Sequence, residues 1–328
     1  MYILNYHDLQ MGDIILDRDD SKQSKVIRWS CKSNYSHARI YVGGTIIESE
    51  GLGVQSVNPQ RILYKDKADA IVIRTDATSE QKLAACIYAR SECGKEYSAK
   101  DGKQKVVNEP NRQFCTRLIA MAYHYAGYDI IDKDPMLCTP KDLEEYNKDC
   151  IIPDMLHEAS EEELSIAQSE GLLKMEGECN DQALIFSDLL QCLRLSTDDN
   201  GCDIQNETQI MEYLIMHPEN DSMFSSIIMS HRYFTMWQEY ERANPWEFDF
   251  SLFIKHFGEN SVNAAKYLLD NSRGIDVLWN YQCESYRDLY YQYGFLTLNT
   301  MLELYVSLLA WHKKRIEVFS SVIAQLTQ

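Results

Sequence analysis

The stretch Tyr35-Ser-His-Ala-Arg-Ile-Tyr-Val-Gly-Gly-Thr-Ile-Ile-Glu-Ser-Glu50 decides the fold of the first half of the chain. Two runs of β-forming residues flank Gly43-Gly44, and a two-residue Gly-Gly loop tolerates the positive φ that a type I′ turn requires. The stretch therefore predicts a β-hairpin in which Val42 faces Thr45.

The hairpin register sorts the side chains onto two faces. Because side chains alternate along a strand, His37, Arg39 and Glu48 share one face. Glu50 then lies directly opposite His37, and Glu48 lies on the diagonal, within reach of a long side chain. An imidazole beside two carboxylates indicates one of two things. They form solvated ion pairs, or they supply the base and the orienting acid of a catalytic site.

A second informative stretch is Asn111–Gly127, which predicts a buried helix with Asn111 as its N-cap and Gly127 just beyond its end. Its apolar residues form two stripes, which indicates a helix covered on most sides. Cys115 then lies near the first turn, where the helix dipole and free backbone N–H groups favour thiolate over thiol. The alternative is that Cys115 is one more buried cysteine among ten.

The elements around these two stretches complete a mixed unit. Apolar runs predict strands at Gly12–Leu16, Val54–Val57 and Ala70–Arg74. Helical spacing predicts helices at Ser21–Lys32 and Ser79–Arg90.

The order of these features resembles the circularly permuted branch of the NlpC/P60 papain-like cysteine hydrolases, the YiiX-like group. Its pattern has Gly-Asp-Ile near the start, Ser-His-x-x-Ile-Tyr-x-Gly leading to Ile-Glu, a Gly-x-x-Tyr, and Tyr/Phe-Cys-Ser-Glu-Leu-Val on a helix. Over about residues 10–130 the chain carries, in the same order, Gly12-Asp13-Ile14, Ser36-His37-Ala-Arg-Ile40-Tyr41-Val-Gly43, Ile47-Glu48, Gly94-Lys-Glu-Tyr97 and Phe114-Cys115.

The resemblance implies a role for each matching residue. Cys115 would be the nucleophile, and His37 would be the general base and later the general acid. Glu48 would orient the imidazole, with Glu50 as the alternative acid that hairpin pairing favours. Tyr97 matches a tyrosine that lines the nucleophile.

The chain departs from the family pattern at two places, both near the predicted site. Thr116-Arg117 replace the usual Ser-Glu after the cysteine, and Arg39 stands where a small residue is common. Arg39 could grip a substrate carboxylate, or it could pair with Glu48 and compete with His37 for it. Arg39 and Tyr35 are the predicted substrate-binding residues.

Charge divides the chain into two halves. The net charge is −18, of which residues 1–150 carry −1 and residues 151–328 carry −17. We therefore expect two domains with a boundary near residue 150. The acidity argues against a nucleic-acid partner, and the lack of a long apolar run predicts no integral membrane segment. The first residues show no classical signal peptide, which predicts a cytoplasmic protein as synthesised.

The predicted fold class is α+β. The resemblance implies a papain-like permuted NlpC/P60 domain over 1–150, with an antiparallel sheet packed on the nucleophile helix. An acidic all-helical domain of unknown role follows over 151–328, because apolar periodic runs there have helical spacing. We expect no cofactor and no metal: no C-x-x-C pair occurs, and four histidines there lack ligand spacing, namely His217, His231, His256 and His312.

The resemblance favours a cysteine amidase or peptidase, with cell-wall peptide as the leading substrate class. A wall-cleaving enzyme must leave the cytosol, which predicts export without a leader, as for a bacterial effector or toxin. The acidic half would then bind a chaperone, an immunity protein or a secretion component. Two alternatives stay open: a lipid acyl hydrolase or acyltransferase of the same fold, and a binding module with a vestigial triad.

Overall fold

A computed structural model describes residues 1–98, 107, 109–146, 148–168, 170–197, 201–272 and 274–327. The chain separates into two compact units, Met1–Leu184 and Ile185–Gln328. The predicted domains, 1–150 and 151–328, stay a prediction. The predicted loop between residues 98 and 111 lies mostly outside the described residues.

The first unit combines two antiparallel sheets with short helices. A six-stranded sheet has the order β5-β4-β3-β2-β7-β8, and a three-stranded sheet has the order β6-β1-β9. The strands are β1 Tyr2–Leu4, β2 Ile14–Asp17, β3 His37–Tyr41, β4 Ile46–Glu50, β5 Gly53–Val57, β6 Leu63–Tyr64, β7 Ala70–Ile73, β8 Ile151–Ile152 and β9 Leu156–Glu158. The helices are α1 Lys22–Cys31, α2 Ser79–Ser91, α3 Cys115–Tyr125, α4 Pro140–Tyr146 and α5 Glu161–Ala167.

The hairpin predicted from Gly43-Gly44 is confirmed. Strands β3 and β4 pair with Arg39 opposite Glu48 and Ile40 opposite Ile47. Both glycines have positive φ, 87° and 75°, as a type I′ turn requires.

The two faces of the six-stranded sheet are buried in different clusters. One face packs on α2 and α3 and includes Ile14, Ile40 and Ile47, all fully buried. From α3 it meets Leu118 and Ile119, also fully buried. The mixed architecture with antiparallel sheets agrees with the predicted α+β class, and α3, which begins at Cys115, packs on the sheet as expected.

The start of α3 differs from the prediction, because Asn111 is not its N-cap. The helix begins at Cys115 with Phe114 as N-cap, and Gly127 with φ 71° follows its end. Residues before Phe114 are drawn into backbone pairing instead: Gln113 N–H donates to the carbonyl of Glu96, and Ser98 N–H donates to Gln113. This pairing moves the helix start to Cys115 itself.

The segment that contains Gly94 and Lys95 is held against strand β5 by backbone hydrogen bonds, which we call the clamp. Val54 N–H donates to the carbonyl of Lys95 (2.9 Å), and Gly94 N–H donates to Val54 (3.1 Å). Gly53 makes this approach possible: its φ is +103°, and a Cβ there would strike the Lys95 carbonyl. The clamp therefore places Tyr97 relative to β5.

The second unit is described by its helices. Helix α6 Glu170–Ser196 leads into it, and the following helices are α7 Glu207–Met216, α8 Asp221–Ser230, α9 Arg232–Ala243, α10 Phe250–Phe257, α11 Ser261–Asn271, α12 Ile275–Tyr293 and α13 Leu296–Leu326. Its largest apolar cluster includes Leu189, Leu214 and Phe224. Across the described residues, no helix combines the length and apolarity needed to cross a bilayer.

We expect Gly53→Ala to destabilise the protein by about 2 kcal/mol, because it adds backbone strain and a clash with the Lys95 carbonyl. Gly51→Ala is the matched control, since a Cβ there meets nothing within 4 Å. Urea unfolding of both variants measures the difference. Equal stability of the two variants would contradict the clamp.

Candidate active site

Cys115 is the first residue of α3 and is buried, with 8% of its surface exposed. Its side chain hydrogen-bonds His37, and the backbones of Ala38 and Thr116 contribute further hydrogen bonds to the sulfur. Burial acts to raise the pKa of the Cys115 thiol, but the charge and hydrogen bond of His37 outweigh it. The pKa of Cys115 therefore lies below its ordinary value, which favours the thiolate.

His37 begins β3 and lies between a thiol and a carboxylate. Its Nε2 is 3.0 Å from Oε2 of Glu48, which leaves Nδ1 for Cys115. Burial acts to lower the pKa of His37, but Cys115 and Glu48 outweigh it and hold the pKa well above its ordinary value. The opposite pKa shifts of Cys115 and His37 indicate a thiolate–imidazolium pair.

Glu48, not Glu50, is the carboxylate that contacts His37. Glu48 is buried, whereas Glu50 is exposed at the end of β4. Burial acts to raise the pKa of Glu48, but Arg39 and His37 hold it well below its ordinary value. The carboxylate therefore stays ionised and can face an imidazolium.

Arg39 pairs with Glu48, which is the second of the two arrangements expected from the sequence. Its Nε lies 2.6 Å from the same Oε2 of Glu48 that His37 contacts. Its guanidinium also pairs with Asp17, which accepts a hydrogen bond from Tyr64 (3.1 Å). The predicted role of Arg39 in substrate binding stays a prediction.

Two residues of this network, Asp17 and Gln55, were not predicted from the sequence. Asp17 ends β2 in register with His37. Gln55 faces Glu48 across β4 and β5 and donates to its second oxygen, Oε1 (3.3 Å). The polar residue at the end of the apolar run Gly12–Leu16 was the available signal for Asp17.

Of the two predicted tyrosines, Tyr97 lies close to Cys115. Burial, and to a smaller extent the charge of Cys115, raises the pKa of Tyr97 to about 12. A backbone bridge between Tyr97 and Gln113 brings this segment beside the start of α3. Tyr35 is buried in the same apolar cluster as Cys115.

Comparison with known proteins identifies a family that matches part of the chain. Residues 8–159 match the permuted papain-like amidase family YaeF/YiiX, C92. The resemblance drawn from the sequence is thereby confirmed for this part of the chain. It supports a hydrolase at the level of the family.

The crystal structure of the metalloprotein yiiX from Escherichia coli O157:H7 aligns at 19% identity over 46% of this chain and 96% of that chain, with a TM-score of 0.25. No curated protein matches the chain.

The departure from the family pattern after Cys115 has a structural explanation. Arg117 is fully buried, donates to the backbone carbonyls of Met136, Glu109 and Arg112, and stacks on Phe114. These contacts tie the approach to α3 to the segment that follows it. Arg117 therefore supports the position of α3.

Among the described residues, three side chains of the second unit bring possible metal donors together. The donor atoms of Asp188, Cys192 and His231 lie within 4.8 Å of one another. However, Nδ1 of His231 accepts a hydrogen bond from the backbone N–H of Tyr233. A neutral histidine that binds a metal through Nε2 carries its proton on Nδ1, and that proton would then face the N–H donor of Tyr233. These contacts fit the N-cap of α9.

We expect the alkylation rate of Cys115 to titrate below about pH 8.5, the ordinary midpoint for a cysteine. His37→Gln should move the midpoint upward, because it removes the cation that stabilises the thiolate. Iodoacetamide labelling followed by mass spectrometry measures this at single peptides. Cys86 is the internal control, since burial raises its pKa to about 12 and it should stay unlabelled. An ordinary midpoint at Cys115 would contradict the ion pair.

Proposed function

We propose that residues 8–159 hydrolyse an amide bond through an acyl-thioester on Cys115. The observation that carries the proposal is the hydrogen-bonded pair of Cys115 and His37 with opposite pKa shifts, backed by the ionised Glu48. A cysteine peptidase or amidase requires this combination of nucleophile, base and orienting acid.

The proposed reaction has two halves, the acylation of Cys115 and the hydrolysis of the acyl-thioester, and His37 transfers a proton in each. The thiolate of Cys115 attacks the amide carbonyl carbon, and the backbone N–H groups at the start of α3 face the developing oxyanion, with Tyr97 beside them. His37 gives its proton to the leaving amine, so that an acyl-thioester and a neutral imidazole remain. His37 then takes a proton from water, the hydroxide attacks the thioester, and the acid leaves with the thiolate restored.

Cell-wall peptide is the substrate class that we propose first, because the resemblance to NlpC/P60 hydrolases favours it. The protein would be cytoplasmic as synthesised and exported as an effector or toxin to reach the wall. We further propose that the acidic segment 151–328, whose described part is helical after strands β8 and β9, binds a chaperone, an immunity protein or a secretion component. Its net charge of −17 favours a basic partner surface.

A lipid acyl hydrolase or acyltransferase is the second candidate. It is favoured by large apolar side chains left in solvent close to the site in sequence, Trp29 and Leu52. The Phe114-Cys115-Thr116-Arg117 run argues against it, because the lipid-acting relatives usually carry Asn-Cys-Glu-His around the nucleophile. A non-catalytic binding module is the third candidate, and the low pKa of Cys115 argues against it.

We expect purified full-length protein to release product from muropeptides, and Cys115→Ala to lose at least about a thousandfold in rate. Phospholipid vesicles assayed side by side test the second candidate. If product is released from phospholipids alone, lipid replaces cell-wall peptide as the proposed substrate class. If Cys115 is labelled as a thiolate but product is released from neither substrate, both substrate classes are contradicted.

Two matched variants test the acid in the same assay. Glu48→Gln should lose about tenfold or more in rate, whereas Glu50→Gln should keep the wild-type rate. The pH–rate profile should rise as Cys115 deprotonates and fall as His37 deprotonates. Glu48→Gln should move the alkaline limb to lower pH, because it removes a carboxylate that raises the pKa of His37. Loss of rate in Glu50→Gln alone would overturn the assignment.

A further inference from the structure

Helix α1 is an exposed helix with little packing against the rest of its unit. Ser24 is its buried residue, anchored by Ser21 at the N-cap and by Ser36. Two large apolar side chains instead face solvent: Val26 is 60% exposed and Trp29 is 83% exposed. Because these positions are three apart, both side chains lie on one face of the helix.

Basic side chains accompany this apolar pair. Lys22 lies one turn before Val26, and Lys25 lies one turn before Trp29, so each apolar side chain has a lysine beside it. Helix α1 contains no acidic residue. We call Lys22, Lys25, Val26 and Trp29 the α1 face.

The basic character continues past the end of the helix. A cavity of about 660 Å³ is lined by residues 28–30 and 32–34, and it includes Arg28 and Lys32. Nε of Arg28 is buried and has no hydrogen-bond partner in the described part of the chain. The end of α1 therefore offers cationic groups to a ligand with negative charge.

The C-terminal end of helix α1 lies close to the Cys115–His37 pair. The chain runs from Cys31 at the end of α1 to His37 in six residues, and the charge of Cys115 acts on the Cys31 thiol. The same end of the sheet carries another exposed apolar side chain, Leu52, which is 62% exposed in the turn between β4 and β5. Exposed apolar residues thus occur on two segments near the end of the sheet where His37 lies.

We propose that the α1 face docks on an anionic phospholipid bilayer. Tryptophan is enriched at the level of the lipid headgroups, and lysine can bury its stem while its ammonium reaches phosphate. Each lysine near an anionic surface strengthens binding. A single exposed helix with intermixed lysine and apolar residues is typical of a helix that lies in the membrane interface.

A lipid surface fits better than a protein partner because of the size of the patch. A stable protein interface needs about 800 Å² on each side, and a helix of 10 residues with two apolar side chains offers less than that. The acidity of the whole chain does not oppose the proposal, because residues 1–150 carry a net charge of −1.

Vesicle flotation of the full chain with Cys115→Ala tests the proposal, and the alanine separates docking from turnover. We expect binding to vesicles of equimolar phosphatidylcholine and phosphatidylserine, and at least about tenfold weaker binding to phosphatidylcholine alone. Lys22→Glu combined with Lys25→Glu, and separately Trp29→Ala, should each lower binding by about tenfold or more.

Matched controls come from the second unit. Lys313→Glu combined with Lys314→Glu changes the net charge equally, and Tyr291→Ala removes an aromatic side chain that is 79% exposed. Both controls should bind as the parent does. Absent binding, binding without preference for phosphatidylserine, or equal losses in test and control variants would overturn the proposal. Self-association that Trp29→Ala abolishes, without vesicle binding, would assign the face to a second copy.

Discussion

The hydrogen bond between His37 and Glu48 is the contact on which the rest of the site depends. It sets which ring nitrogen faces Cys115 and places a buried negative charge behind the imidazole. Burial alone would keep both His37 and Cys115 neutral. Because Glu48 stays ionised beside Arg39, the thiol proton can pass to His37 and the pair can carry opposite charges.

The fold builds this contact from three adjacent strands and one helix. Strands β2, β3 and β4 supply Asp17, His37 and Glu48 in fixed register. Helix α3 begins at Cys115, so the dipole of the helix acts on the sulfur itself. Arg39 links the two carboxylates, and this costs His37 exclusive use of Glu48, since both contact the same oxygen.

Local features of the sequence were sufficient for the hairpin and for the placement of His37 and Glu48 on one face, and the selection of Cys115 came from the family resemblance. The Gly43-Gly44 turn determines register, and register determines which side chains share a face. The choice between Glu48 and Glu50 could not be made this way, because a side chain that leans along the strand can reach a diagonal partner. The first residue of α3 and the contact of Asp17 with Arg39 depend on pairing between segments that are distant in sequence.

The central claim is that Cys115 and His37 form a thiolate–imidazolium pair in the resting protein. Nitrogen-15 NMR of the histidine rings tests this most directly, with His37→Gln used to assign the signal. At neutral pH we predict that both ring nitrogens of His37 carry protons in the wild type, and that the ring becomes neutral in Cys115→Ala. A neutral His37 ring in the wild type at neutral pH would contradict the account.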